Sequence, residues 1–210
     1  NLHKISLHQI RAMLKFSAPL IPNTAIWWLQ SSVNSLIITK HLGISYNGIY
    51  SVAVKFASVL HLVINVFDLA WQESAIKEFG KPYYKEFVTK TFNQYLVFLL
   101  SCVAVLIPFL RLVMEYLIDS AYIEAIPYIP FLLFSTAISA CSGYFAQMIV
   151  AKNKNMKLLT TNFIGAISNI LVVYVLLKYI GIWAIVISAV LSYSVIAIAR
   201  YYQVKEDFMI

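Results

Sequence analysis

The chain has 210 residues, of which 61% are hydrophobic and only 12% are charged. Ordinary soluble chains carry about 25% charged residues, so a soluble domain of this size could not bury so much apolar surface. The net charge of +7 comes from basic residues spread between apolar stretches, which argues against nucleic-acid binding. The composition therefore predicts an integral membrane protein.

Six stretches are long enough to span a bilayer, which requires about 20 apolar residues. The expected spans cover about residues 14–39, 47–70, 88–110, 126–150, 157–177 and 181–200. None of them alternates between apolar and polar residues, as the roughly ten-residue strands of a membrane barrel do. Helices are then the expected spanning structure. The sequence predicts an all-α, integral membrane six-helix bundle, organised as one domain.

Basic residues in the connections indicate the orientation. Twelve of the 16 Lys and Arg residues lie on one side of the predicted membrane, three lie on the other, and Lys55 lies within the second span. Basic residues concentrate in cytoplasmic loops. Both termini are therefore expected in the cytoplasm.

The first span carries a polar stripe, in which Asn23, Trp27, Gln30 and Asn34 recur at helical spacing. Amides hydrogen-bond sugar hydroxyls, and an indole covers the apolar side of a pyranose ring. Asn and Gln also join helices within membranes. Both a sugar-binding surface and a helix-packing surface fit this stripe.

The second span carries a polar face through its whole depth. At 100° per residue, one sector contains Asn47, Ser51, Ser58, His61, Asn65, Asp68 and Gln72, with Lys55 at its margin. A charge near the bilayer midplane costs at least about 2.5 kcal/mol. Lys55 either pairs with an acid or extends to the membrane surface, or it holds an anionic group in a hydrated cavity.

The helical pattern of the second span is expected to continue from Asn47 to Phe79, with residues 71–79 extending into the cytoplasm and a stop signal at Gly80. His61 and Asp68 share its polar face two turns apart. They are the candidates for coupling to a Na⁺ or H⁺ ion.

The later spans carry weaker signals. Asn162, Gly165 and Asn169 form a small polar face that favours close helix packing. Residues 111–124 are predicted to form a short amphipathic helix on the outer surface. The two cysteines have no metal-ligand spacing, and no metal site or catalytic residue is expected.

Short segments in a fixed order along the chain resemble one family. They are Pro19-Leu20-Ile21-Pro22, Leu42-Gly43, Gly48-Ile49-Tyr50-Ser51-Val52-Ala53 with Lys55, Ala70-Trp71, Tyr122 with Ala125, Pro130, Asn169 and Tyr179-Ile180-Gly181-Ile182-Trp183-Ala184. The pattern resembles the C-terminal half of bacterial polysaccharide flippases. These are the O-antigen, lipopolysaccharide and capsule repeat-unit translocases of the MOP exporter superfamily, which includes the MATE drug exporters.

The resemblance implies a MATE-like parent of twelve helices in two six-helix bundles around a central cavity. Such a transporter moves a polyprenyl-pyrophosphate-linked oligosaccharide across the bacterial inner membrane by alternating access. The implied partners are this lipid-linked oligosaccharide, membrane lipid and the missing N-terminal six-helix half. No cofactor other than a coupling ion is implied.

By position, Lys55 matches the basic cavity residues that the family is thought to use for pyrophosphate. Ser51, Ser58 and Asn65 join Asn34 and the rest of the first-span stripe as candidates for binding sugar. Two positions depart from the family pattern, with Asn34-Ser35 where many members have Asp-Arg, and Ala184 where glycine is usual.

Three alternatives stay open. A MATE-type small-molecule exporter shares the architecture but is expected to place an acid in its cavity, whereas the midplane charge here is the basic Lys55. A membrane enzyme of glycan assembly requires a reactive cluster and usually long outer loops, so an enzyme is not expected. A scaffold protein would leave the polar face of the second span unexplained.

Overall fold

The computed structural model describes residues 20–209, and in the first helix it describes the side chains of Ile26 and of residues 32–41. This part of the chain folds entirely into helices and turns, with no strand. The prediction of an all-α fold is confirmed.

Seven α-helices follow one another in the described residues. They are α1 (Leu20–His41), α2 (Ile44–Ala57), α3 (Val59–Glu78), α4 (Tyr84–Leu117), α5 (Ile129–Ala151), α6 (Asn155–Ile180) and α7 (Trp183–Val204). Two 3₁₀ segments, Ser120–Tyr128 and Lys205–Asp207, precede α5 and follow α7. The tight connections after α1 and α6 use Gly43 at φ 103° and Gly181 at φ 56°, backbone angles that favour glycine.

The helices have the length and apolarity of membrane spans. Among the described residues, four helical segments meet these criteria, and the bent pair α2 and α3 makes five if it is counted as one span. The first predicted span, residues 14–39, begins outside the described residues. The chain is a multi-pass membrane protein.

The prediction of one continuous helix from Asn47 to Phe79 is wrong. The helix is broken at Ser58 into α2 and α3, which are bent by 41°. The Ser58 hydroxyl donates to the Lys55 carbonyl oxygen at 2.6 Å. A serine bonded back to the preceding turn competes with the helical ladder and bends the helix. The polar face of the second span therefore changes direction at Ser58.

The region after the third predicted span also differs from expectation, because no separate surface helix forms at residues 111–124. Instead, α4 continues through Pro108 to Leu117. Arg111 donates from Nε to Glu115 Oε1 at 2.8 Å along this extension, an i,i+4 pair that favours helix. Asp119 then caps the 3₁₀ segment by accepting from the Ala121 N–H at 2.9 Å.

Packing centres on α5 and α7, which contact each other, while α6 also packs on α7 and α3 also packs on α5. Stacked aromatic rings join α3, α4 and α5 at one end of the bundle. The Trp71 indole donates to the Tyr144 carbonyl at 3.0 Å, and the Tyr144 hydroxyl donates to the Val88 carbonyl at 2.9 Å. These buried contacts fix one wall of the interior.

The small face of α6 packs closely on α7. A Cβ atom built on Gly165 would lie 2.3 Å from Ile196 Cδ1, so only glycine fits without movement of its neighbour. Asn169 Nδ2 donates to Ser188 Oγ at 2.8 Å between the same two helices. The packing interpretation of this face holds for Gly165 and Asn169.

Candidate functional site

Two cavities lie next to each other between the helices. The smaller has a volume of about 180 Å³ and the larger a volume of about 330 Å³. His61 and Tyr193 line both of them, so the two cavities meet at these side chains. Both linings combine polar with apolar side chains.

The smaller cavity is bounded by α1, α2, α3, α5 and α7. Its polar lining comes from Asn34, Tyr50, Ser58, His61, Ser135, Thr136 and Tyr193. Asn34 is only 5% exposed, and its Oδ1 has no hydrogen-bond partner among the described residues. The cavity therefore presents hydroxyl and amide groups, which can hydrogen-bond a hydroxyl-rich ligand.

The larger cavity extends along α3 between α5, α6 and α7. Its polar lining comes from His61, Asn65, Asp68, Gln72, Ser139, Ser142, Gln147, Asn162, Tyr193 and Arg200. Asn65 and Gln72 are exposed, which shows that the cavity opens on this side of α3. One acid and one guanidinium lie in its walls.

The structure brings together part of the predicted site. Asn34, Ser58 and His61 line the smaller cavity, and His61, Asn65 and Asp68 line the larger one. The two candidates for ion coupling therefore lie in one cavity.

Other predicted residues lie elsewhere. The Lys55 side chain is exposed and lines neither cavity, and it forms no ion pair with any acid in the described part of the chain. Ser51 is half-buried and also lines neither cavity. The side chains of Asn23, Trp27 and Gln30 lie outside those that the structure describes.

Asp68 places its carboxylate at the wall formed by α5. A Cβ atom built on Gly143 would lie 3.5 Å from Asp68 Oδ2 and 3.9 Å from Oδ1, so the carboxylate lies directly over this glycine. The Oδ1 atom is buried without a hydrogen-bond partner among the described residues. Asp68 is thus a carboxylate with unused bonding capacity at a cavity surface.

Arg200 is the main residue that sequence reasoning missed, because it was counted as a cytoplasmic charge. It is 7% exposed and joins three helices. Its Nε donates to Thr161 at 3.1 Å, its Nη1 to the Ser142 carbonyl and hydroxyl at 3.2 and 2.9 Å, and its Nη2 to Asn162 at 2.8 Å. One face of α7 carries Ser188, Ser192 and Arg200 at multiples of four residues. This pattern could have indicated that Arg200 points into the bundle.

The described residues contain no group of three or more His, Cys, Asp or Glu side chains that could hold a metal ion. Cys102 and Cys141 are not joined in a disulfide. The chemistry available in the cavities is hydrogen bonding by amides and hydroxyls. The ionisable side chains that line them are His61, Asp68, Arg200 and the phenols of Tyr50 and Tyr193.

Part of the chain is similar in sequence to a known protein family. A sequence model of the family described as "Polysaccharide biosynthesis protein" matches residues 2–67. The curated proteins and the solved structures contain no match to the chain. The matched segment includes eight residues that line one or both cavities: Asn34, Tyr50, Val54, Ala57, Ser58, His61, Ile64 and Asn65. Residues 2–67 are thus similar to the polysaccharide biosynthesis proteins, in agreement with the predicted resemblance, while the assignment to a C-terminal half stays a prediction.

Proposed function

We propose that this chain belongs to a flippase that moves a polyprenyl-pyrophosphate-linked oligosaccharide across the bacterial cytoplasmic membrane for surface polysaccharide synthesis. Alternating access is the proposed mechanism. The family match over residues 2–67 and the membrane-spanning helices support a role in polysaccharide synthesis or export.

The two adjoining cavities are the main support for this proposal, and together they are the proposed transport channel. Polar side chains within a membrane bundle are costly unless they bind one another, water or a substrate. Here two adjoining cavities, of about 180 and 330 Å³, are lined by amides, hydroxyls and ionisable groups. Such a lining favours the hydroxyl-rich glycan, while the exposed apolar surface of the helices leaves the polyprenyl chain in lipid.

Lys55 is the proposed contact for pyrophosphate. It lies in the last turn of α2, three residues before Ser58 at the bend, and Ser58 lines the smaller cavity. Because its ammonium is exposed and unpaired within the described residues, it is available to an anionic group at the edge of the channel. An ammonium near the membrane midplane favours such a counter-charge.

A second six-helix bundle is the proposed partner. The larger cavity opens beside the exposed residues Asn65 and Gln72, and a facing bundle would close this opening. Motion of one bundle against the other would then open the channel to either side of the membrane. Both termini are proposed to lie in the cytoplasm.

Genetic complementation tests this proposal. The chain, with and without a co-expressed N-terminal half, is introduced into a bacterium that lacks its polysaccharide flippase and makes a matching glycan. Surface glycan and lipid-linked repeat units are then measured. The proposal expects surface glycan to return and the lipid-linked intermediate to fall when both halves are present.

Substitution of Lys55 makes the test specific. We expect Lys55→Ala to abolish the return of surface glycan at an unchanged membrane level of the protein, because the ammonium that holds pyrophosphate is lost. Lys178→Ala is the matched control, since it removes an exposed lysine at the end of α6, away from both cavities. Full export by the Lys55→Ala variant would remove Lys55 from the mechanism.

A further inference from the structure

We propose that the smaller cavity binds a single uncharged sugar residue of the substrate and recognises it as a donor of hydrogen bonds. The inference deepens the proposed transport function by naming the class of sugar that this site selects, and its part in transport rests on that function. Sugar binding itself is a separate property that can be measured on the chain alone.

Three hydroxyl groups in the lining have already used their hydrogen atoms. Ser135 and Thr136 both donate to the Leu132 carbonyl, at 2.8 and 2.9 Å. Ser58 donates to the Lys55 carbonyl at 2.6 Å. A hydroxyl has one O–H donor and two acceptor lone pairs. These three groups therefore offer a ligand in the cavity only acceptors.

Asn34 adds a fourth acceptor to the lining. Its Oδ1 atom is buried and has no hydrogen-bond partner among the described residues. Because the great majority of buried polar atoms in proteins are hydrogen-bonded, a donor from a ligand is expected at this oxygen. Tyr50, His61 and Tyr193 are the described lining residues whose side chains can also donate. The lining as a whole favours a ligand that is rich in donors.

The charge of the lining disfavours ionic ligands. An ionised carboxylate or phosphate only accepts hydrogen bonds, so it would face the lone pairs of the four acceptors. The described residues that line the cavity include no Lys or Arg to offset such an anion, and no Asp or Glu to offset an ammonium. An ion without a counter-charge is costly to remove from water. Neutral hydroxyl and amide N–H groups are the donors that fit.

The size of the cavity fits one sugar ring. Sites for drug-sized ligands have volumes of about 300–1,000 Å³, whereas this cavity has a volume of about 180 Å³. Aliphatic and aromatic side chains can cover the apolar face of a pyranose while its hydroxyls meet the acceptors. The lining contains six such side chains, which are Tyr50, Val54, Ala57, Leu132, Ala189 and Tyr193.

The position of Lys55 keeps the anionic part of the substrate outside this cavity. Val54 and Ser58 line the cavity and are exposed, so it opens on this side of the bend. The Lys55 side chain is exposed in the same segment and does not line the cavity. A substrate that holds its pyrophosphate at Lys55 would therefore place only neutral groups against the acceptors.

Saturation-transfer difference NMR on the purified full chain in detergent tests the site, because it detects weak sugar binding without transport. The probes are the methyl glycosides of glucose, galactose, mannose and N-acetylglucosamine. The glycoside that binds best is then compared with its 6-carboxylate and with its fully O-methylated derivative, and choline serves as the cationic comparison. We expect saturable binding of a neutral glycoside, and binding at least about tenfold weaker for all three comparisons.

Variants of the lining locate the bound sugar. Thr136→Val keeps the shape of the side chain but removes an acceptor, so we expect the dissociation constant to rise about tenfold, or about 1.4 kcal/mol of binding free energy. Thr136→Ser keeps the hydroxyl and is expected to bind as the unsubstituted chain does. Asn34→Leu removes the buried oxygen and is expected to weaken binding to a similar extent.

Thr160→Val is the matched control. The Thr160 hydroxyl donates to the Met156 carbonyl at 3.0 Å, as the Thr136 hydroxyl does to the carbonyl four residues before it, but Thr160 is exposed on α6 and lines neither cavity. This variant is expected to keep full binding.

The proposal is overturned if no neutral glycoside binds saturably, or if the carboxylate or the O-methylated derivative binds as well as its parent. Tighter binding of choline would assign the site to a cation and also overturn it, as would equal binding by Thr136→Val and Thr160→Val. If Thr136→Val does not fold, unchanged binding by Asn34→Leu has the same meaning. Export without sugar binding would contradict this site alone, whereas sugar binding without export would support the site and contradict the transport function.

Discussion

Arg200 joins α5, α6 and α7 through four hydrogen bonds from one guanidinium. A planar fork of five N–H donors can reach several acceptors at fixed angles, which the single ammonium of lysine cannot do. At 7% exposure, little water is available to replace lost partners. This residue is therefore expected to hold the three helices together beside the larger cavity.

We expect Arg200→Lys to lower the free energy of unfolding by about 3 kcal/mol, because hydrogen bonds to a buried charged group are each worth about 1.5–3 kcal/mol and not all are lost. Thermal unfolding in detergent measures the change. Arg111→Lys is the control, since Arg111 forms a solvent-exposed pair with Glu115 and such pairs contribute little to stability. Equal losses in both variants would contradict a special role for Arg200.

At the residue scale, the sequence predicted the polar cavity lining only in part. Helical periodicity placed seven polar residues on one face of the second span. Asn47 and Ser51 line neither cavity, whereas the other five line one or both: Ser58, His61, Asn65, Asp68 and Gln72. Periodicity could not place Lys55, because the direction of a side chain at the margin of a face depends on which helices pack beside it. Counting basic residues misplaced Arg200 for a related reason. A basic residue near a helix end is counted as a cytoplasmic loop charge unless its packing is known.

At the scale of elements, the bend between α2 and α3 was not predictable from the usual helix breakers. Neither proline nor glycine lies at the break, and the bend of 41° coincides with the hydrogen bond from the Ser58 hydroxyl to the Lys55 carbonyl. Serine in a membrane helix can bond to its own turn or face outward, and sequence does not decide between these states. After the bend, α3 packs against α5, and its polar residues line the larger cavity there.

The contact between α6 and α7 depends on the absence of a side chain at Gly165. An added Cβ would lie 2.3 Å from Ile196 Cδ1 and 2.4 Å from its Cγ1, well inside van der Waals contact. We expect Gly165→Ala to destabilise the protein by about 1–3 kcal/mol, the usual range for overpacking a core. Thermal unfolding measures this loss.

A second substitution identifies the cause. Ile196→Ala removes both atoms that the new methyl would meet, so the double variant is expected to lose less stability than the two single losses added together. Additive losses in the double-mutant cycle would show that the close contact at Gly165 is not what the alanine disturbs.

At the scale of the whole molecule, composition and apolar length were sufficient to predict an all-α membrane protein. This prediction rests on one requirement, that backbone N–H and C=O groups in lipid form hydrogen bonds within helices. The adjoining cavities could not be predicted in this way, because His61 and Tyr193 come from helices far apart in sequence. They reach the same cavities only because α3 and α7 both pack on α5. Periodicity along one helix says nothing about which face of another helix lies opposite.

We propose that the two adjoining cavities carry a lipid-linked oligosaccharide between leaflets. The most direct test reconstitutes the chain with an N-terminal half in liposomes that contain a lipid-linked oligosaccharide, and follows how much glycan an external glycosidase can reach. We predict that, beyond the outer-leaflet fraction already exposed, the protected inner-leaflet fraction becomes cleavable with time, and that Lys55→Ala abolishes this increase. A protected fraction that stays constant in sealed liposomes holding the folded protein would contradict the account.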